Sequence, residues 1–224
     1  MLSDHYDKIK SLYDNHTKTS EFEFIFFSKK EKQLTLEKYI DLLKYLSNRS
    51  IANKKEALIN NKILLDIIYS ENRENTYRAT LEGNEYIDSY MKRIIKASNH
   101  IILKNIVLQA AKDKKIILSK KDKLKSNTLD IDDYYLRIRL SDESDITNSE
   151  IKMLTTLDHS QSNNIIFRSK QRTSLIVVKD DNGYVKIDLT ITKMNTNFSL
   201  LNMSIPKYEL EIETMSKKKR YKIY

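Results

Sequence analysis

The sequence predicts an α+β protein in which an antiparallel sheet closes into a β-barrel with a polar lumen and helices packed on its outside. Three observations predict it. Short stretches throughout the chain alternate apolar with polar residues, the period-two pattern of strands with one buried and one wet face. Other stretches carry apolar residues at helical spacing. The wet strand faces bear ordered charge of both signs. For any one strand a solvent-exposed face accounts for such charge. Taken jointly, with acidic strands at both ends of the chain and basic ones between, the pattern fits a sheet closed around its charges.

Residues 2–15 place Leu2, Tyr6, Ile9, Leu12 and Tyr13 on one side, the rhythm of a helix packed along one face. A strand follows at 21–27. Residues 35–47 repeat the helical rhythm through Leu36, Tyr39, Ile40, Leu43 and Leu46. Strands are expected at 63–69 and 74–81. A third helix begins near Gly83 and carries Ile87, Tyr90, Met91, Ile94, Ile95, Ile101 and Ile102, with a break around Ser98-Asn99. These apolar stripes are packing surfaces rather than cofactor sites. Further strands are expected at 115–120, 134–141, 164–170, 172–179, 184–192 and 205–213. Asp181-Asn182-Gly183 marks a hairpin, because tight two-residue turns need positive φ. The polar stretch 142–162 reads as loop with one short helical turn around Ile151 to Leu157.

Composition narrows the chemistry. The 224 residues show no compositional break, so one domain is expected over 1–216, with 217–224 as a basic tail or linker around Lys217-Lys218-Lys219-Arg220. Cysteine is absent, which excludes disulfides, cysteine zinc sites and a thiol nucleophile. The two glycines, Gly83 and Gly183, lie too far apart for a phosphate-binding glycine loop. His5, His16, His100 and His159 show no metal-ligand spacing, and no serine sits in a nucleophile elbow. No apolar run approaches the ~18 residues of a membrane span, so a soluble, intracellular protein without membrane partners is expected. The excess of 40 Lys and Arg over 31 Asp and Glu, +9, favours a polyanionic partner.

The segment EFEF puts Glu21 and Glu23 on one face of a strand, with Phe22 and Phe24 on the other; YELEIE does the same with Glu209, Glu211 and Glu213 against Leu210 and Ile212. If these strands are neighbours, their carboxylates converge, and the repulsion must be offset by bound metal or by basic groups opposite. Carboxylate oxygens suit a hard divalent ion, Mg²⁺ or Mn²⁺. Strand 184–192 separates Lys186, Asp188 and Thr190 from Val185, Ile187, Leu189 and Ile191. Its hairpin partner offers Arg168, Lys170 and Arg172, and 134–141 offers Arg137 and Arg139. Carboxylates to hold an ion and guanidinium groups to fork onto phosphate oxygens describe a site for a metal-bound phosphate chain, with phosphoryl transfer to water as its reaction.

EFEF at 21–24, TYRATL at 76–81, DDYYLRIRL at 132–140, FRSKQRTSL at 167–175, KIDLTITK at 186–193 and YELEIE at 208–213 occur in this order. On these segments the chain resembles the N-terminal RNA triphosphatase domain of mRNA capping enzymes from large DNA viruses, mimivirus-like, of the triphosphate tunnel metalloenzyme superfamily. The resemblance implies an eight-stranded antiparallel β-barrel, the triphosphate tunnel. It implies Glu21, Glu23, Glu209, Glu211 and Glu213 as holders of Mg²⁺ or Mn²⁺, and Arg168, Lys170 and Arg172 as the strand that grips phosphate. It makes Arg78, Arg139, Lys186, Asp188 and Thr190 further substrate-binding positions, and Glu143 an orienter of the attacking water. Lys186 stands where the superfamily more often has Arg, which keeps the charge and loses the fork. Ile25 stands where bacterial and animal relatives carry Lys, which favours the capping branch.

The activity so implied is a metal-dependent RNA 5′-triphosphatase that hydrolyses the γ-phosphate of nascent mRNA to a 5′-diphosphate end, the first step of cap formation. Its partners would be triphosphate-ended RNA and guanylyltransferase and methyltransferase domains or subunits; its place, the cytoplasm of an infected cell or the virion. The KxDG lysine nucleophile of guanylyltransferases is absent, so the chain is a separate triphosphatase or one domain of a longer protein. Two other readings stand beside it. One keeps the fold with nucleoside triphosphates or inorganic polyphosphate as substrate; the other is a non-catalytic basic RNA-binding module. RNA-length and salt dependence separate the first rival; the second predicts that Glu211→Ala leaves RNA binding intact or tighter while neither form hydrolyses anything.

Overall fold

The computed structural model describes residues 3–15, 20–26, 34–52, 60–70, 75–94, 99–110, 113, 116–156, 165–179 and 183–216. The chain runs α1 (Ser3–Asp14), β1 (Ser20–Phe26), α2 (Leu36–Ala52), β2 (Asn60–Ser70), β3 (Asn75–Glu82), α3 (Asn84–Ile94), α4 (Asn99–Ala110), β4 (Ile116–Ile131), β5 (Leu136–Asp145), α5 (Asn148–Thr156), β6 (Ile165–Lys179), β7 (Gly183–Asn195) and β8 (Lys207–Ser216). Short 3-10 helices lie at Asp132–Tyr134 and Phe198–Met203. The strands close into a barrel in the order β1-β5-β4-β3-β2-β6-β7-β8, and every neighbouring pair is antiparallel. The eight-stranded barrel expected from the sequence is the fold of the chain.

Several elements differ from the expectation. The two stretches 164–170 and 172–179 form one strand, β6. Gln171 between them stays paired with Ile63 on β2 and Ile191 on β7, and no Gly or Pro interrupts the ladder. β4 continues well past 120 to Ile131, with a register shift against β5 between Asp122 and Asn127. The run KKDKLK there has no alternation from which a strand could be read. β5 starts only at Leu136, because Tyr135 adopts the left-handed conformation (φ 49°) that turns the β4–β5 hairpin. It then runs through Asp145 into what read as loop, and α5 is a nine-residue helix. Its start is a capping box: the Thr147 backbone N–H donates to Glu150 Oε2 at 2.9 Å, and the Glu150 N–H to Thr147 Oγ1 at 3.3 Å. The third helix is two, α3 and α4. Gly83, at φ +95°, makes the tight passage from β3 into α3 and donates its N–H to Ile63 O at 2.9 Å. The expected turn at Asp181-Asn182 and the basic tail at 217–224 lie outside the described residues.

The hydrophobic core lies outside the barrel. Outward-facing Leu65, Ile67, Tyr69, Tyr77, Ala79, Leu81 and Phe167 pack against Ile87, Tyr90 and Met91 of α3, Ile102, Leu103, Ile106 and Val107 of α4, and Leu154 of α5. A second cluster joins Phe22, Ile131, Ile138 and Leu140 to Ile9 and Leu12 of α1. A third joins Leu34, Tyr39 and Leu189 to Leu42, Leu43 and Leu46 of α2. With the apolar strand faces thus covered by helices, the alternation in the sequence leaves the charged faces to line the lumen. Among the described residues no helix is long and apolar enough to cross a membrane.

Phe167 is fully buried at the centre of the largest cluster and stacks edge-on with Phe198 at 5.6 Å. Phe167→Ala is expected to lower the unfolding free energy by ~3–5 kcal/mol, through lost transfer energy and an unfilled cavity. Urea melts followed by circular dichroism check this; an unchanged midpoint would contradict the placement of the core.

A charged lumen as the candidate active site

Strand order brings the acids together. β1 lies between β5 and β8, so Glu23 faces Arg139 on one side and Glu213 on the other, and the acidic faces from the two ends of the chain share one wall. β7 continues that wall, with Lys186 opposite Glu213, Asp188 opposite Glu211 and Thr190 opposite Glu209. β6 sets Lys170 opposite Thr192 and Arg172 opposite Thr190, and β2 sets Asp66 opposite Arg168. Arg78 on β3 faces Ser119 on β4, and Lys121 on β4 faces Glu143 on β5.

Within this lumen charges meet in a continuous network. Fully buried Asp66 accepts two hydrogen bonds from Arg168, at 3.0 and 2.7 Å, and one from Thr80 Oγ1 at 2.8 Å, while Lys170 Nζ stands 2.8 Å away. Arg172 bridges Asp188, at 3.2 Å, and Glu211, at 3.7 Å. Lys186 bridges Asp188, at 3.0 Å, and Glu213, at 2.8 Å. Arg139 donates from Nε to Glu23 Oε2 at 2.6 Å, and Arg78 is paired with Glu143. Lys121 Nζ lies 3.6 Å from Glu21 and 3.8 Å from Glu23.

No family model matches the chain. A probable mRNA-capping enzyme of Acanthamoeba polyphaga mimivirus is 26% identical over 188 residues, a match that spans 83% of this chain and 15% of that protein. The RNA triphosphatase domain of a trifunctional mimivirus mRNA capping enzyme superposes with a TM-score of 0.71 at 21% identity, over 97% of this chain and 89% of that one. A triclinic structure of the mimivirus capping enzyme triphosphatase gives 0.69 at 22%, over 97% and 90%. The S. pombe RNA triphosphatase, solved in complex with the Spt5 CTD, gives 0.52 at 14%, over 95% and 76%. The chain has the triphosphatase tunnel fold.

Within the tunnel the residues singled out from the sequence do not all stand where their pattern suggested. Glu21, Glu23 and Glu213 gather beside Glu143. Glu209 is set apart on the basic side, accepting from Thr192 Oγ1 at 3.2 Å, with Arg168 and Lys170 as its basic neighbours. Arg78 and Glu143 are each other's partners. Lys170 is 5% exposed and turned onto Asp66. Thr190 is fully buried; its hydroxyl, Asp188 Oδ1 and Arg172 Nε have no hydrogen-bond partner among the described residues. Asp66, Lys121 and Ser119 are lumen residues that sequence reasoning missed. Asp66 left a signal, a single acid inside the apolar run ILLDIIY. Lys121, within an unpatterned lysine run, left none.

Electrostatics divide the tunnel into two walls. Burial, then the neighbouring Glu143, push the Glu21 carboxyl up to about 7 against the opposing effect of Lys121, and Glu213 and Glu23 add to the rise. Burial also raises Glu213, against the pull of Lys186, and raises Glu209, with Glu211 adding to it. Burial would raise Glu143 as well, but Arg78, a hydrogen bond from Ser119, and Lys121 outweigh it and hold this carboxyl low. Asp66 is held far below the carboxylate range, because Lys170, Arg168 and Arg78 overcome its burial. Burial brings Lys170 down to about 8, opposed by Asp66 and helped by Arg168 and Arg172. Burial disfavours the charge of Lys186, yet Glu213 and Asp188 raise its pKa.

Among the described residues no three acidic or imidazole side chains stand together at metal-ligand spacing, since Lys121 and Arg139 are interleaved with the acids. The donors nevertheless fit a hard divalent cation in kind. They are all carboxylates, and Glu21 lies close enough to Glu143, Glu213 and Glu23 for their charges to repel it, a repulsion that a cation relieves.

Two outcomes follow from these charges. The folded protein holds neutral Glu21 more favourably than the unfolded chain does, with a pKa of about 7 against the ordinary 4.5. That stability is fully present below pH ~4.5 and is lost as pH rises through ~7. In chelator, wild type should therefore lose stability relative to Glu21→Gln between pH 5 and pH 8 in urea melts; parallel curves would contradict it. Asp66→Asn leaves Arg168 and Lys170 buried without their carboxylate, a change expected to cost ~3–5 kcal/mol in the same measurement.

Proposed function

We propose that this chain is a cation-dependent RNA 5′-triphosphatase, hydrolysing the γ-phosphate of triphosphate-ended RNA to leave a diphosphate end, the first step of cap formation. The observation that carries the reading is a closed barrel whose lumen sets Glu21, Glu23, Glu211 and Glu213 on β1 and β8 and Arg168, Lys170 and Arg172 on β6, with β7 between them. It is supported by the likeness to a mimivirus capping enzyme and to the triphosphatase structures.

Glu21, Glu23 and Glu213, with Glu211 and Glu209 further along β8, would hold Mg²⁺ or Mn²⁺, which when bound neutralises the oxygens of the phosphate chain. The chain's own groups do the rest. Arg168 and Lys170, fixed by Asp66, and Arg172 and Lys186, fixed by Asp188, present a preorganised positive wall to the γ-phosphate and the leaving diphosphate. Arg139 and Thr190 line the same path. Glu143 stays ionised beside Arg78 and accepts a hydrogen bond from the attacking water, orienting it in line. The proton released leaves with solvent or phosphate.

The chain spans only 15% of its mimivirus relative. We place residues 1–216 as the triphosphatase part of a capping apparatus that works with guanylyltransferase and methyltransferase parts in the cytoplasm of an infected cell, and 217–224 as a basic tail or linker.

The test is release of phosphate from a short RNA labelled at its γ-phosphate, with Mg²⁺ or Mn²⁺. Wild type should release it, and Glu211→Ala should be slower by at least about a hundredfold, the scale of losing one preorganised electrostatic partner. No release by wild type with either metal, or equal rates, would overturn the reading.

A further inference from the structure

The positive groups of the lumen are of two kinds. Arg168 and Lys170 converge on Asp66, and Arg172 and Lys186 on Asp188, both acids sealed from solvent. Arg139 grips Glu23 through a directed bond of 2.6 Å. These groups form a fixed frame. Lys121 is different. Its ammonium stands between Glu21 and Glu23, 3.6 and 3.8 Å away, beyond hydrogen-bond distance from either, with its side chain 24% exposed. It is a compact point charge on a flexible stem, without the planar fork that locks Arg139 in place. Its backbone is paired with Thr76 on β3 and Glu143 on β5, one residue before the register shift of β4 against β5. Glu143, the carboxylate across the ladder from it, is engaged by Arg78. Lys121 thus occupies the middle of the acid cluster, held by charge alone.

We propose that Lys121 is a built-in stand-in for the divalent cation. Its ammonium neutralises Glu21 and Glu23 while the tunnel is cation-free, gives way when the cation arrives, and turns to the phosphate chain. This rests on the cation-dependent triphosphatase reading and deepens it, making Lys121 a positioning residue that couples cation to polyphosphate. An ammonium and a divalent ion cannot share the same carboxylates without strong repulsion in a partly buried site. The displaced ammonium needs a new anion, and the only one the reaction brings is phosphate. Cation and phosphate therefore favour each other's binding, by the same factor in both directions.

The experiment measures Mn²⁺ binding to the full chain, without phosphate, from the electron paramagnetic resonance signal of free Mn²⁺, for wild type, Lys121→Gln and Lys121→Arg. Each variant's fold is checked by circular dichroism. Lys121→Gln should bind Mn²⁺ about tenfold more tightly than wild type, within the usual range of coupling between sites. Its KM for triphosphate RNA should rise, and Lys121→Arg, which keeps the charge, should bind Mn²⁺ like wild type. A merely structural lysine gives the opposite, weaker Mn²⁺ binding in Lys121→Gln. Equal or weaker binding in that variant, with cation-dependent hydrolysis by wild type intact, overturns the stand-in role and spares the triphosphatase reading. If no form binds Mn²⁺ and none hydrolyses RNA, both fall together.

Discussion

A barrel closed around a largely charged face buries carboxylates that must meet a cation across the ladder, because an unpaired buried charge is costly. Asp66 is the clearest case. It lies at the junction of β2 with β3 and β6, and takes Thr80 from the first and Arg168 and Lys170 from the second. Asp188 serves the β6–β7–β8 junction in the same way, through Arg172 and Lys186. Such buried pairs contribute little net stability when intact, because desolvation offsets attraction, but breaking one is costly. They therefore act chiefly on register. A one-residue slip would turn every charge onto the helices and every apolar side chain into the lumen.

Stability has to come from elsewhere, and it comes from the outer layer. The outward strand faces supply Leu65, Ile67, Leu81 and Phe167 to α3, α4 and α5, while α1 and α2 cover the remaining sides with smaller clusters. With folding free energy concentrated there, the lumen can remain electrostatically unfinished. The basic wall is balanced by Asp66 and Asp188. On the acidic wall Glu21 is buried beside Glu143, Glu213 and Glu23 with Lys121 as its countercharge, and burial and these acids together raise its pKa. A tunnel with a basic and an acidic wall is arranged for a ligand that carries both signs, a cation and a phosphate chain.

Much of this was legible in the chain itself. Strict alternation in EFEF, KIDLTITK and YELEIE marks both the strand and the face that bears charge, because one residue in two must point each way. Where alternation fails, so does reading. Asp66 sits in a run apolar on both sides, since its inward neighbours in the strand are Leu64 and Ile68. Lys121 lies within a run of lysines with no period, just before the part of β4 that shifts register. The capping box of α5 was present as Thr147-Asn148-Ser149-Glu150, but the polar stretch around it masked a helix whose buried contribution rests largely on Leu154.

The sequence by itself determined which face of each strand is charged, which helices have an apolar stripe, and what chemistry the side chains can perform, because these follow from local spacing. Only the tertiary structure decided who meets whom. That β1 lies between β5 and β8, placing Glu23 beside Glu213, and that β2 pairs with β6, placing Asp66 beneath Arg168, depend on strand order across a closed sheet. Pairings between segments so far apart in the chain are chosen by countercharge and by the closing of the barrel. No local pattern encodes either, because every strand with an alternating face is an acceptable neighbour until the opposite charges are brought into register.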